Sequence, residues 1–268
     1  MGATPADDPI RAFLDWAERD RSKSQHTLTR YRAVLAQIPN PLEASMDQVE
    51  EWWQSRYHLS PATRANELAC LRSFYRWAAR FDHRPDDPTR RLDPPAVRNA
   101  LPRMVGRSDF ERLLGELTEG RPHLRRTIAL GGYAGLRIHE AARLDWSDID
   151  EDSRIAYVRG KGQKERPVPL SPALLDYLLP DTGGNVVAAG GEPYSVDTLG
   201  RAANRLIKQA APERSFHDLR KRAASIALSK GASPAAVRTF FGWSSMETVS
   251  HYAVVGDDEL SKIAALIA

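Results

Sequence analysis

A chain of 268 residues, with 42% hydrophobic and 27% charged residues, has the composition of a globular protein and enough length for two domains of ordinary size. Its apolar runs are only a few residues long, which excludes a helical membrane span, and the start Met1-Gly2-Ala3-Thr4-Pro5-Ala6-Asp7-Asp8 excludes a signal peptide, so a cytoplasmic location is expected. The formal charge of +3 is too small to argue for a nucleic-acid partner alone, and the single cysteine, Cys70, excludes an internal disulfide or a cysteine metal cluster.

From residue 6 to 21, Ile10, Phe13, Leu14 and Ala17 recur at helical spacing behind Asp8 and Pro9, a cap and a first-turn residue. Ser24 to Gln37 predicts a second helix stopped by Pro39-Asn40-Pro41, and Met46 to Arg56 a third containing Trp52 and Trp53. Ser60-Pro61 opens a fourth, where Leu68, Leu71, Phe74, Tyr75 and Ala78 line one side and Arg72, Arg76 and Arg80 recur every four residues in a separate stripe. Such a stripe is either a solvated face or a surface for a DNA groove, where arginine neutralises phosphates and reads guanine edges. Arg64, Arg72, Arg76 and Arg80 are therefore DNA-binding candidates, with Ser24, Gln25 and Thr27 near the start of the second helix as further phosphate contacts.

Helical periodicity vanishes between Phe81 and Arg103, where Pro85, Pro88, Pro94, Pro95 and Pro102 predict an extended, semi-rigid linker. The expected organisation is a helical domain over residues 1–84, a linker over 85–103, a second domain over 104–256 and a tail helix over 257–268. Beyond the linker, Ser108 to Leu117 reads as a helix with Ser108 capping and Glu111 at capping-box spacing, and Leu124 to Tyr133 as another. Gly135 breaks the pattern before a short helix with Arg137 at its start. Arg154 to Arg159 and Glu165 to Leu170 then form β-rich runs around the turn Gly160-Lys161-Gly162-Gln163-Lys164, which predicts a small antiparallel sheet with Lys161 on a hairpin tip. Helical patterns resume at Pro172 to Leu179, Ser195 to Ala210, Phe216 to Ser229, Ser233 to Phe241 and Glu247 to Tyr252. The fold class is mainly α with a small antiparallel β-sheet: an N-terminal helical bundle plus a mixed α/β domain.

The chemistry concentrates in the C-terminal half. On a helix, His217 and Arg220 share one face, placing an imidazole beside a guanidinium, a pair suited to a phosphate. Tyr252 offers a hydroxyl that could attack the phosphorus, and Arg137 and Lys161 supply further cations.

Taken together, Gly135-Leu136-Arg137-Ile138-His139-Glu140, Gly160-Lys161-Gly162-Gln163-Lys164-Glu165-Arg166, His217-Asp218-Leu219-Arg220, Gly242-Trp243 and Tyr252 resemble the tyrosine recombinases of the phage-integrase type, in order and spacing over almost the whole length. Ser60-Pro61-Ala62-Thr63 and Leu71-Arg72-Ser73-Phe74-Tyr75-Arg76-Trp77 look like the core-site-binding domain of that family. The resemblance implies a site-specific recombinase that cuts and rejoins DNA through a 3'-phosphotyrosine, serving integration, excision or resolution of a phage or mobile element. Tyr252 would be the nucleophile, Arg137 and Arg220 the clamp on the non-bridging oxygens, Lys161 the acid for the 5'-oxygen, and His217 a proton partner. Trp243 stands where many members carry a second histidine and is assigned to phosphate contact and packing, because an indole N–H only donates. Lys221 stands where the family often has histidine and is left outside the catalytic set.

The same resemblance implies no cofactor and no metal, double-stranded DNA core sites as substrate, a homotetramer on two such sites, a tail that docks on the next protomer, and a directionality factor as a further partner. It also implies a compact layout without an arm-binding domain. Competing readings are Xer-type dimer resolution, a DNA-binding protein with a vestigial site, and a type IB topoisomerase with the same chemistry.

Overall fold

The computed structural model describes residues 8–96, 104–160, 165–178, 183–188 and 192–250. The chain divides into two compact units, Met1–Arg98 and Asn99–Ala268. No described helix is long and apolar enough to cross a membrane.

The first unit holds four helices, α1 (Pro9–Arg19), α2 (Gln25–Leu35), α3 (Met46–Ser55) and α4 (Pro61–Arg80). Each begins at an oxygen that accepts from the first-turn amides: Asp8, Ser24, Ser45 and Ser60. These caps satisfy donors that a helix leaves open at its start. Their apolar faces meet in an aromatic core, in which Phe13 packs edge-on against Phe74 at 5.4 Å between centroids and also touches Tyr31 and Trp77. Leu68, Leu71, Phe74, Tyr75 and Ala78 are all buried, as their spacing on α4 requires. Cys70 is buried too, and its thiol is pushed up to about 11 by desolvation, with Arg30 opposing and Glu67 adding, which makes it a poor nucleophile.

The stretch expected as an extended linker begins differently. Arg84 donates to the carbonyls of Leu42 and Ala44 at 2.8 and 2.7 Å, Thr89 is buried and donates to Asp87, and Leu92 is buried within the core of the first unit. An apolar side chain and a tethered guanidinium fold this segment back onto the helices, a tertiary effect that proline content alone does not report. Residues 97–103 lie outside the described residues.

The second unit contains α5 (Arg107–Leu114), α6 (Pro122–Tyr133), α7 (Ile138–Ala141), β1 (Ile149–Asp150), β2 (Ile155–Arg159), β3 (Glu165–Pro169), α8 (Pro172–Leu175), α9 (Val196–Ala210), α10 (Phe216–Ser229), α11 (Pro234–Phe241) and α12 (Met246–Ser250). The strands form one antiparallel sheet in the order β1-β2-β3, with Arg159 opposite Glu165 next to the hairpin turn. Alternation along β2 buries Ala156 and Val158 and exposes Tyr157. The expected cap at Ser108 does not form: the cap is Gly106, two residues earlier, and Glu111 pairs with Arg107 at 2.9 Å instead of closing a capping box. At the centre, α6 lies against α10 and α5 through Gly131 and Gly132, where a Cβ would come within 2.7 Å of Phe216 and 2.2 Å of Phe110. A small second cluster of Ala223, Ala224, Val237, Phe241 and Val249 seats α11 and α12 on the far end of α10.

Candidate active site

The site forms where the loop after α6 meets α7, β3, α10 and the end of α11. Gly135 makes the first turn possible. Its φ of +62° suits glycine, and a Cβ there would sit 2.2 Å from Phe241. Its carbonyl accepts from Arg220 Nη1 at 2.5 Å. Gly135→Ala is therefore expected to destabilise the second unit by about 2 kcal/mol or more, from backbone strain and overpacking together. Urea unfolding checks this, and an unchanged midpoint would mean that Phe241 can shift freely.

Arg137 occupies the cap position of α7. Its main-chain N–H donates to Glu140 Oε2 at 2.8 Å and its guanidinium to Glu140 Oε1 at 2.9 Å. Glu140 is the hub: its side chain is fully buried, Arg166 from β3 binds both of its oxygens at 2.9 and 3.0 Å, and Arg220 Nη1 lies 3.9 Å away. Desolvation pushes this carboxyl up, but bonds from Arg166 and the Arg137 amide, with both guanidinium charges, outweigh it and hold the group at about 2. The cluster thus carries one buried negative charge against the guanidiniums of Arg137, Arg166 and Arg220. Its surplus is positive, and the Arg137 side chain remains 32% exposed, so this surplus is open to an anion.

Arg220 is only 1% exposed. It is fixed by Gly135 O and Phe241 O and lies 5.1 Å from the Phe241 ring centre and 5.4 Å from that of Trp243. Those two rings stack at 5.0 Å, so the chain leaving α11 is folded onto the same guanidinium. Gly242, at φ +60°, ends α11 and turns the chain there.

One turn before Arg220, His217 lies on the exposed side of α10. Desolvation by its neighbours and the charges of Lys221, Arg220 and Arg137 hold its imidazole below the ordinary histidine value, with Asp218 opposing. The shift favours the neutral imidazole, which is able to accept a proton. Asp218 receives the Ser215 N–H and hydroxyl at 2.8 Å each and pairs with Lys221 at 2.8 Å, which anchors the start of α10.

Arg137, His217, Arg220 and Trp243 are thus brought together. Lys161 and Tyr252 lie outside the described residues, as does the tail 257–268. Their flanks are placed: β2 and β3 bracket Lys161, and buried Val249 on α12 precedes Tyr252 by three residues. Glu140 and Arg166 carry no role in the sequence reading above. The available signal was the capping-box spacing of Glu140 after Arg137, and an arginine two positions into a half-buried strand.

The DNA-binding candidates of the first unit divide. Ser24 caps α2 through Thr27, and Gln25 donates to Glu18. Arg64 stacks on Trp53 and Tyr57 at 4.7 and 4.2 Å, and Arg72 donates to the Leu92 carbonyl. Arg76 and Arg80 are exposed and line a cleft of about 650 Å³ with Arg21, Lys23, Trp16 and Tyr31. Among the described residues, no group of three or more His, Cys, Asp or Glu side chains is placed to hold a metal ion.

A surplus-positive cluster beside an imidazole, built into a mainly helical unit with a small sheet, suits the class of enzyme that works on a phosphodiester. The phage integrase family model matches residues 103–259, more than half of the chain, and the chain belongs to that family. It is 29% identical to the tyrosine recombinase XerD of Xanthomonas axonopodis pv. citri, with 97% of each chain covered. It is 30% identical to the tyrosine recombinase XerC of Rhodospirillum centenum, over 96% of this chain and 86% of that protein. A lambda integrase dimer bound to a COC' core site has the same fold, with a TM-score of 0.72 at 18% identity, covering 90% of this chain and 76% of the other.

Proposed function

We propose that this tyrosine recombinase cuts and rejoins double-stranded DNA at defined core sites through a covalent 3'-phosphotyrosine on Tyr252. The observation that carries the reading is the shared hold of Glu140 on Arg137 and Arg220, which places two guanidiniums at one point with surplus positive charge. Two guanidiniums there match the non-bridging oxygens of a phosphodiester, whose charge grows in the transition state. The Tyr252 oxygen bonds to phosphorus, the phenol proton passes to neutral His217, and the bond to the 5'-oxygen breaks as Lys161 donates a proton to it. The phosphotyrosine keeps the bond energy, so a second strand end can reverse the step without a nucleotide cofactor. Exposed Arg76 and Arg80 and the basic cleft beside them give the first unit a surface for the core site.

A nicked suicide substrate tests the reading, because cleavage beside the nick releases the short strand and traps the intermediate. Covalent protein–DNA product attached at Tyr252, found by peptide mapping, supports it. Attachment at another residue, or product without a covalent bond, overturns it.

Trp243 offers an independent check. The indole packs on Phe241 beside Arg220, which supports a role in holding that guanidinium, and the family resemblance adds phosphate contact. Trp243→His is expected to keep cleavage within about tenfold of the parent rate, whereas Trp243→Ala loses about 10²-fold, the scale of one transition-state hydrogen bond. Equal loss in both variants would contradict the assignment.

We assign the biological role to integration, excision or resolution of a phage or mobile element, with four copies acting on two sites and a directionality factor as a further partner. A second reading, dimer resolution of the Xer type, is favoured by the near end-to-end match to XerD and XerC proteins. Mapping the cleaved sites decides between them: ends of one mobile element support the first, a single chromosomal or plasmid resolution site the second.

A further inference from the structure

Arg166 stands apart from the other arginines of the site. It sits on β3, the strand at the edge of the sheet, on the same face as buried Val168, where a charge is tolerated only with partners. Its side chain is 13% exposed. Nη1 and Nη2 take the two oxygens of Glu140, and Nε donates to the Phe240 carbonyl at 3.0 Å at the end of α11. All three nitrogens are directed into the protein, whereas Arg137 gives Glu140 one guanidinium nitrogen and stays partly open. Arg166 therefore joins three pieces of the site: the hairpin strand, the Glu140 hub, and the segment that leads to Trp243.

We infer that Arg166 is a positioning residue for the leaving-group step. It fixes the β2–β3 hairpin against the arginine clamp so that the lysine between the two strands meets the 5'-oxygen of the phosphate that Arg137 and Arg220 hold. The inference rests on the reading of Lys161 as the acid. Antiparallel pairing fixes β3 to β2, and buried Ala156, Val158 and Val168 seat the hairpin on the core; a polar tie from the strand to α7 and α11 adds the link to the site itself. The three-pronged bond of Arg166 is that tie, and lysine with its single nitrogen cannot reproduce it.

A bridging sulfur in place of the scissile 5'-oxygen isolates this step. With oxygen, the bond between phosphorus and the 5'-oxygen breaks and the oxygen takes a proton from the acid. With sulfur, the phosphorus–sulfur bond breaks and the thiolate departs unprotonated, since thiols ionise near about 8.5. Single-turnover cleavage of nicked suicide substrates of both kinds is measured for Arg166→Ala, Arg166→Lys, Lys161→Ala and Arg137→Ala in the full chain.

On oxygen, both Arg166 variants and Lys161→Ala are expected to slow by about 10²-fold, and on sulfur to recover to within about tenfold of the parent. Arg137→Ala stays slow on both. Arg166→Lys keeps a charge beside Glu140, so it remains informative should Arg166→Ala unfold. If Lys161→Ala recovers on sulfur while the Arg166 variants do not, the inference fails and the acid reading stands. If Lys161→Ala does not recover, the acid reading fails and takes the inference with it. Arg166→Lys cleaving the oxygen substrate at the parent rate would show that only its charge matters, which also overturns the inference.

Discussion

Arg220→Ala is expected to lower formation of the covalent intermediate by about 10³-fold or more, while binding of core-site DNA changes little. A single preorganised donor at a developing negative charge is worth about 10²–10³-fold in rate, and Arg220 brings a full charge on a side chain that is itself almost wholly buried. The side chain has a second function that the experiment must separate. Its guanidinium satisfies the carbonyls of Gly135 and Phe241 and sits 3.9 Å from Glu140, so truncation leaves buried acceptors without a donor. Breaking such a buried arrangement costs about 3–5 kcal/mol, enough to lower the population of folded second unit. Arg220→Lys divides the two effects: it keeps the charge near Glu140 but cannot span both carbonyls and a phosphate. Lysine is expected to restore most of the unfolding midpoint and still lose about 10²-fold or more in single-turnover cleavage. Lysine cleaving at the parent rate would make Arg220 a structural residue alone.

The helical periods of the first unit were readable because α1 to α4 are amphipathic and opened by short capping side chains, so pattern and cap agree at each start. The hairpin was readable from β-rich runs around a glycine turn. The boundary after α4 was misread because proline composition reports local stiffness, while burial of Leu92 and the reach of Arg84 to Leu42 and Ala44 are long-range events. Ser108 was misread for a related reason: the capping spacing to Glu111 is real, but Arg107 competes for that carboxylate and the glycine before it accepts the cap geometry without help.

In the candidate site, His217, Arg220 and Arg137 are proposed from the chemistry that a phosphodiester needs and Trp243 from the family resemblance, and the fold brings these four side chains together. Glu140 and Arg166 were not legible, since a carboxylate in a site for an anion looks misplaced until its three guanidinium neighbours are seen in space. The same blindness affected Arg72. Its place in a four-residue stripe suggests an outward side chain, yet it turns to the Leu92 carbonyl, while Arg76 and Arg80 keep the outward direction. Spacing gives the face of a helix, and the next segment of chain decides whether that face stays free.

Glu140 sets the second large expectation, which concerns pH. Its folded value of about 2 lies below the ordinary 4.5, so the stabilisation it brings is complete above 4.5 and is lost as pH falls toward 2. A depression of this size corresponds to about 3 kcal/mol, a large share of the stability of an ordinary domain. Asp218, also held below the ordinary aspartate value, against desolvation, by Lys221 and Ser215, adds to the same acid limb. In Glu140→Gln the limb is expected to persist through Asp218 but to flatten between pH 4.5 and 2, with lower stability at pH 7, where arginines from α7, β3 and α10 then face one another without a carboxylate. Cleavage by this variant is expected to fall by about 10²-fold even under conditions where it is folded, because the guanidiniums lose the charge that sets their positions. Urea midpoints across that pH range, with single-turnover cleavage at pH 7, check both parts. An acid limb as steep as that of the parent would mean that Glu140 does not hold its proton affinity down in the folded state. Parent-like cleavage would mean that Arg137 and Arg220 are placed by the backbone and not by the carboxylate between them.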